Sequence, residues 1–425
     1  MIETARFSDL ESVKLTPMLD QYWHIKSAHP DSLLWYRMGD FYELFFEDAE
    51  TASKALSITL TKRGTANGKP IPMCGVPHHS HVSYLQRLTR QGHHVAICEQ
   101  MEDPVEARKR KTDKLVRRAV TRIVTPGTIT EDTLLDARSS NYLASLAEVG
   151  GTFGLAWLDI STGAFIVQPV DQSEIEAALV RLDPCELLIP DRIDARPELR
   201  SVLALWRAPQ SVLPASRFDS ENARRILCDL YGYATLDALG AFSRAEVAAA
   251  GTLVDYVRLT QCGRIPRLAR LARLGPSSVM EIDAATRRSL ELVNNTGGGR
   301  RGTLLATVDR TVTASGARLL ADRIAMPLTD PDAINTRLDM VAFFCDAVSV
   351  RGGLRIKLSG LPDLERAMSR LLLGRGGPRD LAVIRDVLTA IPLLRNEIHT
   401  NGLTPPPSGI AVELAAMGDH SALAC

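Results

Sequence analysis

The first part of the chain mixes two-residue and helical hydrophobic periods. Thr16 and Pro17 open "TPMLDQYWHIKSAHP" as a helix start, because threonine can cap a helix and proline suits its first turn. A β-prone aromatic run follows, and after it come helical "EDAETASKAL" and "SYLQRLTRQG" and strand-like "SITLTKR" and "HVAICEQ". This order predicts an α+β domain over 1–126. The domain is expected to end near Thr125-Pro126-Gly127, because proline and glycine interrupt regular secondary structure.

The pattern changes after that point. "TFGLAWLDISTGAFIVQPV" predicts two strands around a turn at 161–163, and Ser173 with Glu176 matches a capping box before the helix "EIEAALVRL". With the short strand "CELLIPD", these elements predict an α/β domain with a mixed sheet over 127–270.

From 271 to 425 the signals are almost all helical. Pro378 precedes a segment in which four apolar residues recur at helical spacing: Leu381, Ile384, Leu388 and Ile391. The last stretch reaches Cys425 within helix-forming residues and without a stop signal, which favours a chain that is the front part of something longer.

The run "GDFYELF" places a carboxylate between two aromatic residues. In a strand, Phe41, Glu43 and Phe45 share one face, and a buried carboxylate on that face would be costly. Either Glu43 lies in water at a sheet edge as a structural feature, or Phe41 and Glu43 face a ligand from an exposed edge. In the second case Phe41 could wedge between stacked bases, as apolar side chains do in minor-groove binders.

The distribution of charged residues along the chain indicates which class of molecule the chain binds. The 425 residues are 45% hydrophobic and 24% charged with zero net charge, as in ordinary globular proteins. The charge is nevertheless uneven, since residues 1–50 carry four Lys/Arg and ten Asp/Glu, whereas 51–126 carry fourteen and five. This excess predicts a polyanion partner, with nucleic acid first, although a solvated basic face remains an alternative.

Cysteine usage and the N-terminus predict a cytoplasmic location. Seven scattered cysteines without CxxC spacing favour reduced thiols. The acidic N-terminal sequence has no apolar signal-peptide region, and no apolar run approaches the length of a membrane span.

Five blocks carry a family resemblance: "GDFYELF", "LTKRG", "PIPMCGVPHHS", "VAICEQ" and "RIVTPGT". In this order they resemble the mismatch-binding domain of the MutS family of DNA mismatch-repair proteins. "LAWLDISTGAF" is similar to the family's connector domain, and "MEIDAATRRSLEL", "TVTASGARLLADRIAMPLTD" and "DLERAMSRL" are similar to its lever helices. The resemblance implies an α/β multidomain architecture: mismatch-binding domain I (1–126), a ribonuclease-H-like connector (127–270) and the first part of a helical core or lever domain (271–425).

The resemblance also implies a site. Phe41 would stack on a mispaired or unpaired base in the minor groove of kinked DNA, and Glu43 would hydrogen-bond to that base. Arg63 would contact the DNA backbone, and Met38 and Met73 would support the wedge, although ordinary core packing equally accounts for both methionines. A basic run can add contacts to DNA phosphates, which position the protein on the duplex without specifying a base sequence. This run comprises Arg108–Lys111, Lys114, Arg117, Arg118 and Arg122.

Three other sequence patterns give weaker evidence for a functional site. The histidines at 78–94 with Cys74 and Cys98 match no standard metal-ligand spacing, so no metal site is predicted. "GGGRRGT" (297–303) lacks the lysine of a phosphate-binding loop and is expected to be a loop between helices. Asp159 follows a strand as the leading carboxylate does in ribonuclease-H-like nucleases, but no second carboxylate converges on it, so a structural role is favoured.

For function, the resemblance implies binding of mismatched or looped-out duplex DNA that initiates mismatch repair, without catalysis by this chain. ATP and Mg belong to a C-terminal ATPase domain that the sequence does not contain, and the clamp segment is also absent. The family acts as a homodimer that recruits MutL. Two alternatives stay open: a metal-dependent nuclease acting through the connector, and an interaction-only chain whose connector docks a protein.

Overall fold

The computed structural model describes residues 6–8, 16–66, 68–110, 115–204, 209–238, 240–275, 278–401 and 405–423. The chain forms two compact units. The first comprises Met1–Ile129 with Val254–Ile265, and the second comprises Thr130–Leu253 with Pro266–Cys425. No helix in the described ranges has the length and apolar composition needed to cross a bilayer.

The strands, in chain order, are β1 Leu33–Met38, β2 Phe41–Phe45, β3 Thr61–Ala66, β4 Lys69–Pro77, β5 Val95–Gln100, β6 Arg118–Val124, β7 Leu143–Val149, β8 Thr152–Leu158, β9 Phe165–Val170, β10 Glu186–Pro190, β11 Gln210–Leu213 and β12 Ala272–Arg273. The helices through the second sheet are α1 Pro17–Ser27, α2 Phe46–Leu56, α3 His81–Arg90, α4 Pro104–Lys109, α5 Ile175–Leu182, α6 Asp191–Asp194, α7 Pro197–Ala204, α8 Ser220–Tyr231 and α9 Arg244–Thr260. The remaining helices are α10 Ala284–Leu290, α11 Leu304–Val308, α12 Ala314–Ala325, α13 Pro331–Asp346, α14 Val348–Ser359, α15 Leu364–Leu372, α16 Pro378–Asn401 and α17 Ser408–Ala416.

The first unit is built on a six-stranded sheet in the order β3-β4-β2-β1-β5-β6. Strands β1 and β2 form a hairpin in which Met38 pairs with Phe41, so only Gly39 and Asp40 make the turn. Gly39 has φ +58°, a left-handed conformation that glycine adopts without the strain of a side chain. The sequence prediction of strands in the aromatic run is therefore confirmed.

Helices cover both faces of this sheet. On one face, Tyr22 of α1 packs edge-on against Tyr36 and Phe45. On the other face lie α2 and α3, and the Cys74 thiol there donates to the carbonyl of Ala49. The predicted start of α1 is confirmed, because the Thr16 hydroxyl accepts a hydrogen bond from the amide of Leu19.

A buried ion pair joins α1, α2 and β1. The Lys26 ammonium donates to Asp48 Oδ1 at 2.9 Å and to the carbonyls of Pro30 and Ser32 at 3.0 and 2.7 Å. Asp48 Oδ2 accepts from the amide of Leu34 at 2.9 Å. Each charge is thus hydrogen-bonded, as burial requires.

Strand β6 contains a bulge that changes the direction of its side chains. Arg122 pairs with Ile97, but Val120 pairs with the next residue of β5, Cys98, so Thr121 is an extra residue. Because one inserted residue reverses the alternation, Arg118 and Arg122 point to opposite faces of the sheet despite their even spacing.

The second unit begins with a mixed sheet in the order β11-β10-β7-β8-β9-β12. Strands β7, β8 and β9 form an antiparallel meander, and β10 runs parallel to both β7 and β11. This is the α/β sheet expected for the connector. The sequence analysis does not predict the strands β7, β11 and β12. The capping box lies at Asp171 and Glu174, two residues before the predicted pair, because Gln172–Glu174 forms a short 3₁₀ turn ahead of α5.

The rest of the second unit is helical, as the sequence predicts. Helix α16 begins at Pro378, but Leu381 in its predicted apolar stripe is exposed, and the buried apolar residues among those described in this helix are Leu394 and Ile398. The expectation that the last stretch contains no stop signal is wrong, since α17 ends at Ala416, two residues before Gly418, which has φ +59°. Taken together, the chain is a multidomain α/β protein with two mixed sheets and a helical segment.

Candidate nucleic-acid interface

Phe41 and Glu43 lie on one face of the sheet, but not at an edge of it. Strand β2 is flanked by β1 and β4, with Glu43 paired to Tyr36 on one side and Gly75 on the other. The expectation of a sheet edge, in either interpretation of the motif, is therefore wrong. Both side chains project from the middle of a sheet, where two neighbouring strands fix the backbone.

Exposure falls steeply along this face. Phe41 is 47% exposed, whereas Phe45, four residues on, is buried beneath Tyr22 of helix α1. Glu43 lies between them, with 15% of its side chain exposed. Helix α1 thus covers the far end of β2 and leaves the hairpin end uncovered, so a large apolar ring stands in solvent next to a packed core.

The carboxylate of Glu43 is paired with Arg63. The Arg63 guanidinium donates to Glu43 Oε2, and 42% of the arginine side chain is exposed. Arg63 lies in β3, in the stretch between Lys62 and Thr65 where the register with β4 shifts. The pair gives a half-buried carboxylate the charged partner it needs and places a cation beside the exposed ring.

Gly75 makes room for both side chains. A Cβ atom at this position would lie 3.7 Å from Phe41 Cδ1 and 3.8 Å from Glu43 Cγ. An alanine would therefore fit in ordinary contact, but any longer side chain would enter the space that the ring and the carboxylate share.

Met38 and Met73 border the same face. Met38 pairs with Phe41 across the hairpin, and Met73 pairs with Phe45. Both are partly buried against the aromatic core that contains Tyr22, so each packs on the core and also has exposed surface. Both interpretations of these methionines, core packing and support of the wedge, fit this position.

Arg118 lies on the same face of the sheet as Phe41, but on the far strand. Its guanidinium donates to the carbonyls of Arg37 and Val116 at 2.7 and 3.0 Å and to Gln21 Oε1 at 3.1 Å. It also stacks over the Tyr36 ring at 4.8 Å. These contacts tie β6 to β1 and α1, so a phosphate contact by Arg118 stays a prediction.

Arg122 projects from the opposite face, where Tyr42 lies. The sequence analysis groups it with Arg118 in one basic run, and the bulge in β6 turns the two side chains to opposite faces. Of the other members of the basic run, Lys111 and Lys114 lie outside the described residues. The structure thus gathers Met38, Phe41, Glu43, Arg63 and Met73 on one surface, which we call the Phe41 face.

The other patterns have structural roles. Asp159 is buried; its carboxylate accepts from the amide of Asn141 at 2.9 Å and from the amide and hydroxyl of Ser161 at 2.8 and 2.6 Å. Residues 297–303 form a loop, as expected. Among the described residues, no group of three or more His, Cys, Asp or Glu side chains could hold a metal ion.

Comparison with known proteins decides the family. Residues 16–133 match the family model MutS domain I, residues 141–269 match MutS domain II, and residues 285–418 match MutS domain III. The chain belongs to the MutS family.

Relatives in several bacteria support this assignment. The DNA mismatch repair protein MutS of Nitrobacter hamburgensis is 49% identical over 414 residues, which are 96% of this chain and 45% of the relative. The proteins of the same name from Rhodopseudomonas palustris strain BisB5 and Roseobacter denitrificans are 51% and 50% identical over 95% and 92% of the chain. The chain spans less than half the length of these curated MutS relatives, at 44–45%.

Proposed function

We propose that this chain binds mismatched or unpaired bases in double-stranded DNA by inserting Phe41 into the minor groove. The observation that carries the proposal is an exposed aromatic ring at the uncovered end of a rigid central strand, with a carboxylate two residues further on. The match to MutS domain I and the DNA mismatch repair relatives support the choice of partner.

The physical task suits this arrangement. Unstacking a base step costs a few kcal/mol, and less where pairing is already faulty. A kink also forms more easily at a weakened step, so deformability selects the site without any reading of sequence. Phe41 supplies apolar area for stacking, and the three central strands hold it in place while the duplex bends.

Glu43 and Arg63 would act as one unit in this proposal. A carboxylate alone would repel the phosphates on either side of the minor groove. Arg63 neutralises Glu43 in the unbound chain and is exposed enough to meet a phosphate, which leaves the second oxygen of Glu43 available as an acceptor for a displaced base.

The proposal extends to the whole protein. Binding would initiate DNA mismatch repair in the cytoplasm, as part of a homodimer that recruits MutL, with ATP and Mg held by a C-terminal domain outside this sequence. This chain itself would carry no catalysis. A nuclease in the connector is disfavoured because the Asp159 carboxylate is occupied by backbone and hydroxyl donors.

Competition binding with a mismatched and a fully paired duplex tests the wedge. We expect Phe41→Ala to remove the preference for the mismatch and to leave weak homoduplex binding that falls steeply with salt. Glu43→Ala should reduce discrimination more than total affinity. Met101→Ala, which truncates another exposed apolar residue of the same unit, is the matched control. Equal mismatch preference in the chain with Phe41 and in Phe41→Ala would refute the proposal.

A further inference from the structure

A cavity in the second unit is lined by an unusual number of arginines. Its volume is about 620 Å³, within the range of small-ligand pockets. Its lining includes four guanidinium groups and three carboxylates: Arg181, Arg287, Arg288, Arg300, Glu176, Asp183 and Asp322. Nothing in the proposed DNA contact uses this cavity, since its residues belong to helices α5, α10 and α12, their adjoining loops and the segment before β7.

Arg287 has no counter-ion within the described part of the chain. The residue is 7% exposed, and none of its three guanidinium nitrogens has a hydrogen-bond partner there. Burial lowers the pKa of Arg287, because a guanidinium charge that is kept out of water is less stable than a hydrated one. Burying a cation without a partner costs several kcal/mol, so an anion bound to such a group would stabilise the folded chain.

The other charges of the cavity already have partners. Arg181 donates to Gln168, Arg300 donates to Ser139, and Arg288 lies 3.9 Å from Glu176 at the exposed rim. Two carboxylates accept hydrogen bonds from neutral groups: Asp183 accepts from Asn294 at 2.9 Å, and Asp322 accepts from the Tyr142 hydroxyl at 3.1 Å.

The carboxylates therefore do not neutralise the central arginine. Burial raises the pKa of Asp183, and burial together with Asp159 raises the pKa of Asp322 to about 6. Arg181 and Arg287 each carry a depressed pKa, and the charge of Arg287 is part of the cause at Arg181. The cavity lining thus holds more guanidinium groups than carboxylates, four against three.

One wall of the cavity is a compact loop. Asn295 Oδ1 accepts from the amides of Gly297 and Gly299 at 3.0 and 2.9 Å, and its amide nitrogen donates to the carbonyl of Arg301 at 3.0 Å. This loop is the "GGGRRGT" segment. It places Gly298 and Arg300 on the cavity wall, although it lacks the lysine of a phosphate-binding loop.

We propose that this cavity binds a small phosphate-bearing ligand through Arg287. A guanidinium offers paired donors that match two phosphate oxygens, and the four arginines outnumber the carboxylates. The guanidinium nitrogens of Arg287 have no contact with solvent, so the proposal requires that the end of this side chain turns towards the cavity when the ligand binds. The ligand is small because the site is a concave pocket of limited volume.

Calorimetric titration of the whole chain with inorganic phosphate and pyrophosphate, at constant ionic strength, tests the proposal. We expect saturable binding that weakens at least tenfold in Arg287→Gln and by a smaller factor in Arg287→Lys, which keeps the charge and loses the paired donors. Arg385→Gln is the charge-matched control, because Arg385 is an exposed residue outside the cavity that pairs with Asp386. Equal affinities in Arg287→Gln and Arg385→Gln, or no saturable binding by the chain with Arg287, would overturn it.

Two further measurements separate this site from the DNA contact and from misfolding. Phe41→Ala should bind pyrophosphate unchanged, and duplex DNA should not compete with pyrophosphate; competition that depends on Arg287 would mean a DNA site instead. Arg287→Met should raise the melting temperature of the chain in phosphate-free buffer, because it removes an uncompensated buried charge. A lower melting temperature would show that the cation is already compensated, and the proposal would fail.

Discussion

The buried pair of Lys26 and Asp48 offers a quantitative test of how the Phe41 face is supported. Lys26→Met removes a cation that contacts Asp48 and two carbonyl groups, while Asp48 keeps the amide of Leu34. Breaking a buried ion pair from one side costs about 3–5 kcal/mol. We expect this change to loosen α1, α2 and β1 together, because the pair joins these three elements.

Protonation of Asp48 limits that cost. Burial raises the pKa of Asp48 and Lys26 opposes the rise, so removal of Lys26 raises it further. The variant can instead protonate the carboxyl, which from an ordinary pKa of about 3.9 costs about 4 kcal/mol at pH 7 and about 2 kcal/mol at pH 5.5. The folded variant then binds a proton that the unfolded chain releases, so its deficit in unfolding free energy must shrink as the pH falls.

Hydrogen exchange of the β1 amides, read by mass spectrometry at pH 7 and pH 5.5 and corrected for intrinsic rates, measures the local opening free energy. Lys54→Met, on the exposed side of α2, is the charge-matched control. Lys26→Met with Asp48→Asn should recover part of the loss at pH 7, because no buried charge remains. The reasoning is refuted if Lys26→Met behaves like Lys54→Met at pH 7, or if its deficit is the same at both pH values.

Two other predictions concern the second unit. Gly154→Ala would place a Cβ 2.5 Å from the backbone of Ala245 and Glu246. We therefore expect a lower melting temperature and a loss of about 1–3 kcal/mol in the free energy of unfolding. The control Gly352→Ala, whose Cβ would meet nothing within 4 Å, should be neutral or stabilising. Arg138 and Thr311 lower the pKa of Asp309 to about 2, so the carboxylate stabilises the fold above its unfolded pKa and loses this effect as the pH falls towards 2. Asp309→Asn should therefore lower stability by about 1 kcal/mol or less at pH 7. The difference in urea midpoint should shrink below about pH 5 and disappear only as the pH reaches about 2, and a constant difference would contradict the assignment.

Local signals in the sequence were sufficient for several elements of the fold. The cap at Thr16, the strand alternation that places Phe41 and Glu43 on one face, and the helical start at Pro378 depend on neighbours within a few residues. The motif order identified the family for the same reason, since "GDFYELF" and its companions can be recognised one by one. The strand β7 was missed because its alternation is weak, with six of seven residues buried on both faces of the sheet.

Tertiary structure decided which of these residues lie together. The sequence shows Arg118 and Arg122 only as members of one basic run. One extra residue in β6 turns them to opposite faces, and pairing with β5 is what creates that bulge. Strand β2 became central because β4, thirty residues later, pairs with it, and that pairing also set Gly75 beside the ring.

The same distinction between local signals and tertiary packing explains why the sequence alone did not predict the two charged sites. The ion pair of Glu43 with Arg63 and the cavity around Arg287 join residues that are far apart in the chain. Alternation and capping fix the direction in which a side chain leaves its own element, because they act through adjacent backbone. The partner that meets the side chain there depends on how distant elements pack, and no local pattern records it.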